Sequence, residues 1–69
     1  MMEISDLHGA TLRAFHDGHG WCIRAERAGD EPFLFAGYAV DARTAQWGAE
    51  QVAASSWAIG CKVEPLWQH

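Results

Sequence analysis

Residues 10–28, ATLRAFHDGHGWCIRAERA, contain two apolar runs on either side of a glycine-rich tetrad. Tight hairpin turns need positive φ, which glycine adopts without steric cost, and the tetrad Asp17-Gly18-His19-Gly20 supplies two glycines. The flanking runs, Ala10–His16 and Trp21–Ala28, are therefore predicted to pair as an antiparallel hairpin. A loop of Gly18-His19 and a longer loop that includes Gly20 are both compatible with the pattern.

The next run, Phe33–Val40, is apolar at both strand parities. A strand with one solvent-exposed face alternates polar and apolar residues, so this run predicts a third strand with both faces partly covered. Phe33, Phe35 and Ala39 share one face, which a helix of the same chain could cover. Leu34 and Tyr38 belong to the other face, which would have to be covered by a terminal segment or by a partner molecule.

A helix is predicted from Ala42 to about Ile59, with Asp41 as its N-cap and Gly60 as its left-handed terminator. At 100° per residue, small side chains form a ridge on one side of this helix, at Ala45, Ala49 and Ala53. Because large and small side chains pack together in cores, we expect this ridge to face the sheet. The reverse orientation, with the tryptophans inward, remains open.

Two tryptophans, Trp47 and Trp57, fall on the side of the predicted helix opposite the alanine ridge. Beyond the helix, Cys61–Trp67 alternates in strand fashion, and Pro65 is typical of an edge strand. The element order is then β-β-β-α-β. The prediction is one α+β domain over residues 1–69, with a mostly antiparallel sheet of three or four strands and one helix packed on it.

The composition sets further limits on this chain. With 69 residues, of which 49% are hydrophobic, it has room for one domain with a thin core. The first fifteen residues have no basic region and no long apolar run, and no segment has the length of a membrane span, so a cytoplasmic protein is expected. The net charge is −4 and the five basic residues are scattered, which disfavours nucleic-acid binding.

Metal-ligating residue types occur around the hairpin turn, at His16, His19 and Cys22. Structural zinc needs a converging tetrahedral set of ligands, and His16 shares a face with Cys22 only if the loop is the longer one. The interpretation we prefer is a hairpin with histidines at its turn and no bound metal. A small metal-binding module is the alternative.

Catalytic and redox patterns are sparse. No serine lies in a nucleophile-elbow motif, and no glycine-rich phosphate loop precedes the helix. Cys22 and Cys61 could meet across the sheet as a thiol pair, although cysteines in strands are more often small buried apolar residues. We therefore predict no catalytic activity and no cofactor.

Two segments resemble a known family. Residues 17–23, DGHGWCI, and residues 37–41, GYAVD, followed by an alanine-rich helix, resemble the start of HicB-type antitoxin domains. The resemblance implies a strand-turn-strand-strand-helix order and, for function, an antitoxin-like protein that masks a basic partner. The chain departs from the family at residues 27–32, where RAGDEP replaces a P-D-L-P-G run. It resembles at least as closely small uncharacterised proteobacterial proteins, and this resemblance implies the fold but carries no assigned activity.

The apolar content exceeds what one sheet face and one helix stripe require. The surplus lies on the second face of the third strand and on the outer side of the helix, which predicts a protein-binding surface comprising Trp47, Trp57, Leu34 and Tyr38. A thin core benefits from oligomerisation, so a second copy of the chain, in a homodimer, is the expected first partner.

Overall fold

The computed structural model describes residues 2–55, 58 and 60–65. Its elements are β1 (Thr11–His16), β2 (Trp21–Glu26), β3 (Phe33–Leu34), α1 (Ala42–Ala53) and β4 (Lys62–Val63). The strands form one four-stranded sheet in the order β3-β2-β1-β4, and α1 packs on one of its faces. The predicted α+β class and β-β-β-α-β order are confirmed.

The β1–β2 hairpin has the shorter of the two loops considered. His16 pairs with Trp21 and Phe15 with Cys22, while the Asp17 N–H donates to the Gly20 carbonyl at 3.2 Å. The Asp17 carboxylate closes the turn by accepting from the His19 and Gly20 N–H groups at 2.8 and 3.1 Å. Both strands are shorter than predicted, since β1 begins at Thr11 rather than Ala10 and β2 ends at Glu26 rather than Ala28.

The prediction of one continuous strand over Phe33–Val40 is wrong. Only Phe33–Leu34 forms β3, and contact with β2 resumes at Ala39, whose N–H donates to the Trp21 carbonyl at 2.8 Å. Residues 36–38 bulge away between these two contacts, because Gly37 adopts a φ of +97° that strand residues do not use. The predicted facing survives the break, since Phe33 and Phe35 pack against the core and Leu34 and Tyr38 are exposed.

The alanine ridge of α1 faces the sheet, as expected. Ala45 and Ala49 are buried, and Ala49 belongs to the same apolar cluster as Leu12 and Ala25 of the central strands. Small side chains let the helix approach closely, and a Cβ on Gly48 would lie only 3.2 Å from Ile23 Cδ1. Trp47 consequently projects away from the sheet.

The predicted end of the helix is wrong. Helix α1 stops at Ala53 with Ala54 as its C-cap, and a turn follows in which the Ala58 N–H donates to the Ser55 carbonyl at 3.1 Å. Gly60 does adopt positive φ, at +84°, but it serves the turn into β4 rather than the helix end. Trp57 and Ile59 lie outside the described residues.

The last predicted strand, Cys61–Trp67, is shorter in the structure. Of its described residues, 61–65, only Lys62–Val63 form a strand, β4, which lies at the sheet edge and runs parallel to β1. Leu66 and Trp67 lie outside the described residues. One parallel pair beside two antiparallel pairs agrees with the expectation of a mostly antiparallel sheet.

The N-terminal segment completes the core, which sequence patterning did not reveal. Met2 and Leu7 are buried against Leu12 and Ala49 although they lie in no strand or helix. Arg27 anchors the segment by donating to the His8 carbonyl at 2.9 Å. This segment therefore supplies large side chains to an alanine-rich interior.

Asp41 is the helix N-cap, and its substitution tests the cap. Its carboxylate accepts from the Thr44 N–H and hydroxyl, each at 2.8 Å, which holds the pKa of Asp41 below its ordinary value. Asp41→Ala is expected to lower the urea midpoint because the helix loses this acceptor, whereas Asp41→Asn retains it. Equal midpoints for the Ala and Asn variants at neutral pH would contradict this role.

Candidate functional site

The exposed large apolar side chains concentrate near one edge of the sheet. Leu34 is 44% exposed, Tyr38 60% and Trp47 61%, and all three were predicted from the sequence as interface residues. We call this region the β3-edge surface and define it by Phe33, Leu34, Phe35, Tyr38 and Trp47. Trp57, the fourth predicted interface residue, lies outside the described part of the chain.

A groove of about 380 Å³ lies within the β3-edge surface, between the 36–38 bulge and the first half of α1. Phe35, Tyr38 and Trp47 contribute aromatic rings to its lining, which also includes Gly48. The groove exists because two local features coincide. The bulge draws the chain away from β2, and Trp47 is the only large apolar side chain on the first half of the helix.

Tyr38 is held in place by the hairpin turn. Its hydroxyl donates to Asp17 Oδ2 at 2.7 Å, and its ring lies on Gly20, where an added Cβ would come within 2.9 Å of Tyr38 Cδ1. The absence of a side chain at Gly20 thus allows the ring to pack there. These two contacts connect the hairpin turn to the 36–38 bulge, so Tyr38 is fixed in position although it is well exposed.

This hydrogen bond has an electrostatic signature. It is the largest cause that lowers the pKa of Asp17, followed by the His19 N–H, and it raises the pKa of Tyr38. A lowered carboxyl pKa contributes stability that is present above the ordinary value of 3.8. That contribution is lost as the pH falls through the lowered native pKa.

Tyr38→Phe is expected to raise the pKa of Asp17 toward 3.8, because its strongest donor is removed. The stability difference between the variant and the wild type should be largest above that pH and shrink below it. Carboxyl NMR titration measures the shift, and Asp30, whose lowered pKa depends chiefly on Arg27, is an internal control. An unchanged Asp17 pKa in the variant would contradict the arrangement.

The two cysteines do not form the thiol pair considered from the sequence. Cys22 of β2 lies opposite Phe15 of β1. Cys61 directly precedes Lys62 of β4, which lies opposite Thr11 of β1. Phe15 and Thr11 are separated along β1 by about 13 Å, at roughly 3.3 Å per residue. Burial raises the pKa of both thiols, with the Asp17 charge adding to the effect at Cys22, which is opposite to the lowered pKa of an activated thiolate.

The hairpin residues considered as metal ligands do not converge. His16 is on the sheet face that carries α1, where its ring meets Trp21 edge-on at 5.3 Å, and Cys22 is on the opposite face. The His16 Nδ1 atom is already occupied, since it accepts from the Gly18 N–H at 3.1 Å. Among the described residues, no group of three or more His, Cys, Asp or Glu side chains is arranged to hold a metal ion.

The sheet face opposite α1, here called the open face, carries paired charges. Glu26 lies between two arginines, with Arg13 Nε and Arg24 Nε each 3.1 Å from one of its oxygens. Arg13 also approaches Glu64 at 3.9 Å, and Arg24 lies over the Phe15 ring at 4.8 Å. Both Nε atoms are buried without a well-aligned hydrogen bond, so these contacts are charge pairs.

A polar hollow of about 460 Å³ extends from the open face to the loop after β2. Its cationic groups are Arg13 and Arg27, and Arg27 donates to Asp30 Oδ2 at 2.8 Å while also lying 3.5 Å from Asp6. Both cations of this hollow are therefore engaged by carboxylates of the same chain.

No protein-family model matches this chain, and neither a curated protein nor a solved structure shows significant similarity to it. The resemblance to HicB-type domains accordingly stays a prediction. None of the helices in the described residues combines the length and the apolar character needed to cross a membrane.

Proposed function

We propose that this chain is a small cytoplasmic protein-binding domain without catalytic activity, and that its first partner is a second copy of itself. The observation that carries the proposal is Trp47, which is 61% exposed and stands beside an aromatic groove rather than alone. Tryptophan and tyrosine are the side chains most often found to dominate binding energy at protein interfaces. Trp47 and Tyr38 both line this groove.

The size of the domain supports association. The fully buried large side chains in the described residues are only Leu7 and Leu12, and the rest of the core includes several alanines. A core of this kind in a chain of 69 residues supplies little stability by itself, and small domains commonly add to it by oligomerisation. Packing of the β3-edge surface against a second copy would bury apolar area that the monomer leaves exposed.

The distribution of charge supports the choice of surface. On the open face, Arg13 and Arg24 pair with Glu26, and Arg13 also approaches Glu64, so the charges of that face are balanced within the chain. The β3-edge surface has no comparable set of paired charges among its five defining residues. Interface centres are depleted of charged residues and enriched in aromatic ones, which is the character of this edge.

A second candidate function is an antitoxin-like or inhibitory protein that masks a basic partner. The acidic side chains near the β3-edge surface favour it: Asp17 is bonded to Tyr38, Asp41 caps α1, and Glu50 lies one helical turn from Trp47. Together with the net charge of −4, they would attract a cationic surface. Association that weakens steeply with added salt would favour this candidate, because apolar self-association is much less sensitive to salt.

Size-exclusion chromatography with light scattering tests the proposal. The expected result is a molar mass that rises from near 7.6 kDa toward twice that value as the protein concentration increases through the micromolar range. The tryptophan emission should shift to shorter wavelength over the same range as Trp47 is buried. A folded protein that stays at the monomer mass at every concentration would refute self-association.

A further inference from the structure

Strand β3 is an outer strand of the sheet, and its outward backbone groups are available. The Phe35 N–H donates to the Ile23 carbonyl at 2.9 Å, and Leu34 is the register partner of Arg24. Hydrogen-bonded and non-hydrogen-bonded pairs alternate in an antiparallel ladder. The N–H and C=O of Leu34 therefore point away from β2, toward the open edge.

These outward groups have no partner in the described part of the chain. No backbone hydrogen bond outside the sheet ladder and no side-chain hydrogen bond there uses the Leu34 N–H or C=O. Exposed edges are usually protected by charged side chains, by proline or by a covering segment. The Leu34 side chain is instead apolar and 44% exposed.

The sequence around Leu34 is complementary to itself. If two copies pair antiparallel with Leu34 opposite Leu34, then Phe33 of each copy lies opposite Phe35 of the other. Within one chain these two rings already pack edge to face, with centroids 5.4 Å apart. The pairing would bring four phenylalanine rings together on the side of the sheet that carries α1. Aromatic cross-strand pairs are among the most favourable pairs in antiparallel sheets.

The same register avoids repulsion between like charges. The nearest charged residue on the N-terminal side, Glu31, would lie opposite Gly37 of the second copy, and Pro32 would lie opposite Ala36. Pro32 has no N–H to donate, and at residues 36–38 the chain departs from the strand direction. The paired segment is therefore limited to a few residues around Leu34. The flanking Tyr38 and Trp47 side chains then supply the remaining contact.

We propose that two copies of the chain pair through β3 about a two-fold axis at Leu34, which joins two four-stranded sheets into one continuous sheet. This inference rests on the proposed self-association and specifies its geometry. The two Leu34 residues exchange N–H···O=C hydrogen bonds across the axis. The interface is isologous, so it closes at a dimer and leaves no free β3 edge for further addition.

Hydrogen exchange at the Leu34 amide tests this geometry in the unmodified protein. The expected result is exchange at Leu34 that slows about tenfold or more between dilute and concentrated samples, because only the dimer protects this N–H. The amide of Gly18, bonded within the turn to His16, is a control that should not depend on concentration.

Leu34→Pro provides an independent test, because it removes an N–H that the monomer does not use. Proline is tolerated on edge strands when its missing N–H faces solvent, so the monomer should fold with an unchanged far-ultraviolet spectrum. We expect the dissociation constant to rise about tenfold or more. Leu34→Thr, which keeps the N–H and suits a strand, is the matched control and should remain dimeric.

The outcomes separate the two proposals. A dimer whose Leu34 amide exchanges at the same rate at all concentrations, or that persists in folded Leu34→Pro, overturns edge pairing and leaves self-association standing. A wild-type protein that is monomeric throughout overturns both. If Leu34→Pro does not fold, the exchange rate of Leu34 in the wild type decides the matter.

Discussion

Leu12→Ala is expected to lower the free energy of unfolding by about 2–5 kcal/mol, the usual cost of truncating a fully buried leucine. Leu12 is 0% exposed on the central strand β1, and its neighbours Ala25 and Ala49 are too small to fill the space it leaves. A small domain has about 3–5 kcal/mol in total, so the variant should be largely unfolded at 37 °C. Urea denaturation followed by circular dichroism measures the loss.

The matched control for Leu12 is Ile4→Ala. Ile4 is 52% exposed and lies in the N-terminal segment, so its truncation should change the free energy of unfolding by less than about 0.5 kcal/mol. Both variants must be measured at one protein concentration, because association adds stability that depends on concentration. A Leu12→Ala protein that unfolds at the wild-type midpoint would mean that the core does not lie between β1, β2 and α1.

Trp47→Gln is expected to raise the dissociation constant of the dimer about thirtyfold or more. Truncating an aromatic side chain at an interface hot spot typically costs about 2 kcal/mol or more, which corresponds to this ratio. Glutamine is a good helix former, so α1 should remain folded. Light scattering over a concentration series measures the change in the dissociation constant.

Ile4→Ser is the comparison for Trp47→Gln, since it removes another exposed apolar side chain that lies outside the β3-edge surface. It should leave the dissociation constant unchanged. If the two variants weakened association equally, the effect would reflect general surface hydrophobicity. Unchanged association in Trp47→Gln alone would remove this tryptophan from the interface.

The hairpin and the N-cap could be predicted because each depends on local sequence, whereas for the helix the sequence favoured one orientation and left the reverse open. Asp17-Gly18-His19-Gly20 determines a turn by backbone conformation, and Asp41 supplies a capping carboxylate directly before the helix. The alanine ridge has a period that only one helix face satisfies. Exposure of Leu34, Tyr38 and Trp47 followed from the same parity and period arguments.

Other features depend on contacts that local patterns do not encode. The apolar run over residues 33–40 reads as one strand, but Gly37 at positive φ divides it and creates the groove. The glycine itself was the available signal, because glycine inside a strand pattern often marks a bulge. The helix was predicted too long because the apolar pattern continues past Ala53 while the chain turns.

The N-terminal contribution to the core had no detectable signal. Met2 and Leu7 lie in a segment with polar neighbours and no period, and long-range hydrogen bonds from Arg27 and Cys61 connect this segment to the rest of the fold. Cys61 Sγ donates to the Leu7 carbonyl at 3.1 Å, across most of the length of the chain. Such contacts follow from the assembled fold.

Intermolecular NOEs in a mixture of isotope-labelled and unlabelled protein report which atoms of two copies touch, so they test the pairing through β3. Pairing about Leu34 predicts NOEs between copies at Leu34 and between Phe33 and Phe35, with further contacts at Tyr38 and Trp47. Lys62, on the opposite edge strand β4, should show none. Absence of intermolecular NOEs at high concentration, or NOEs confined to β4 or to the open face around Arg13, would rule out this interface.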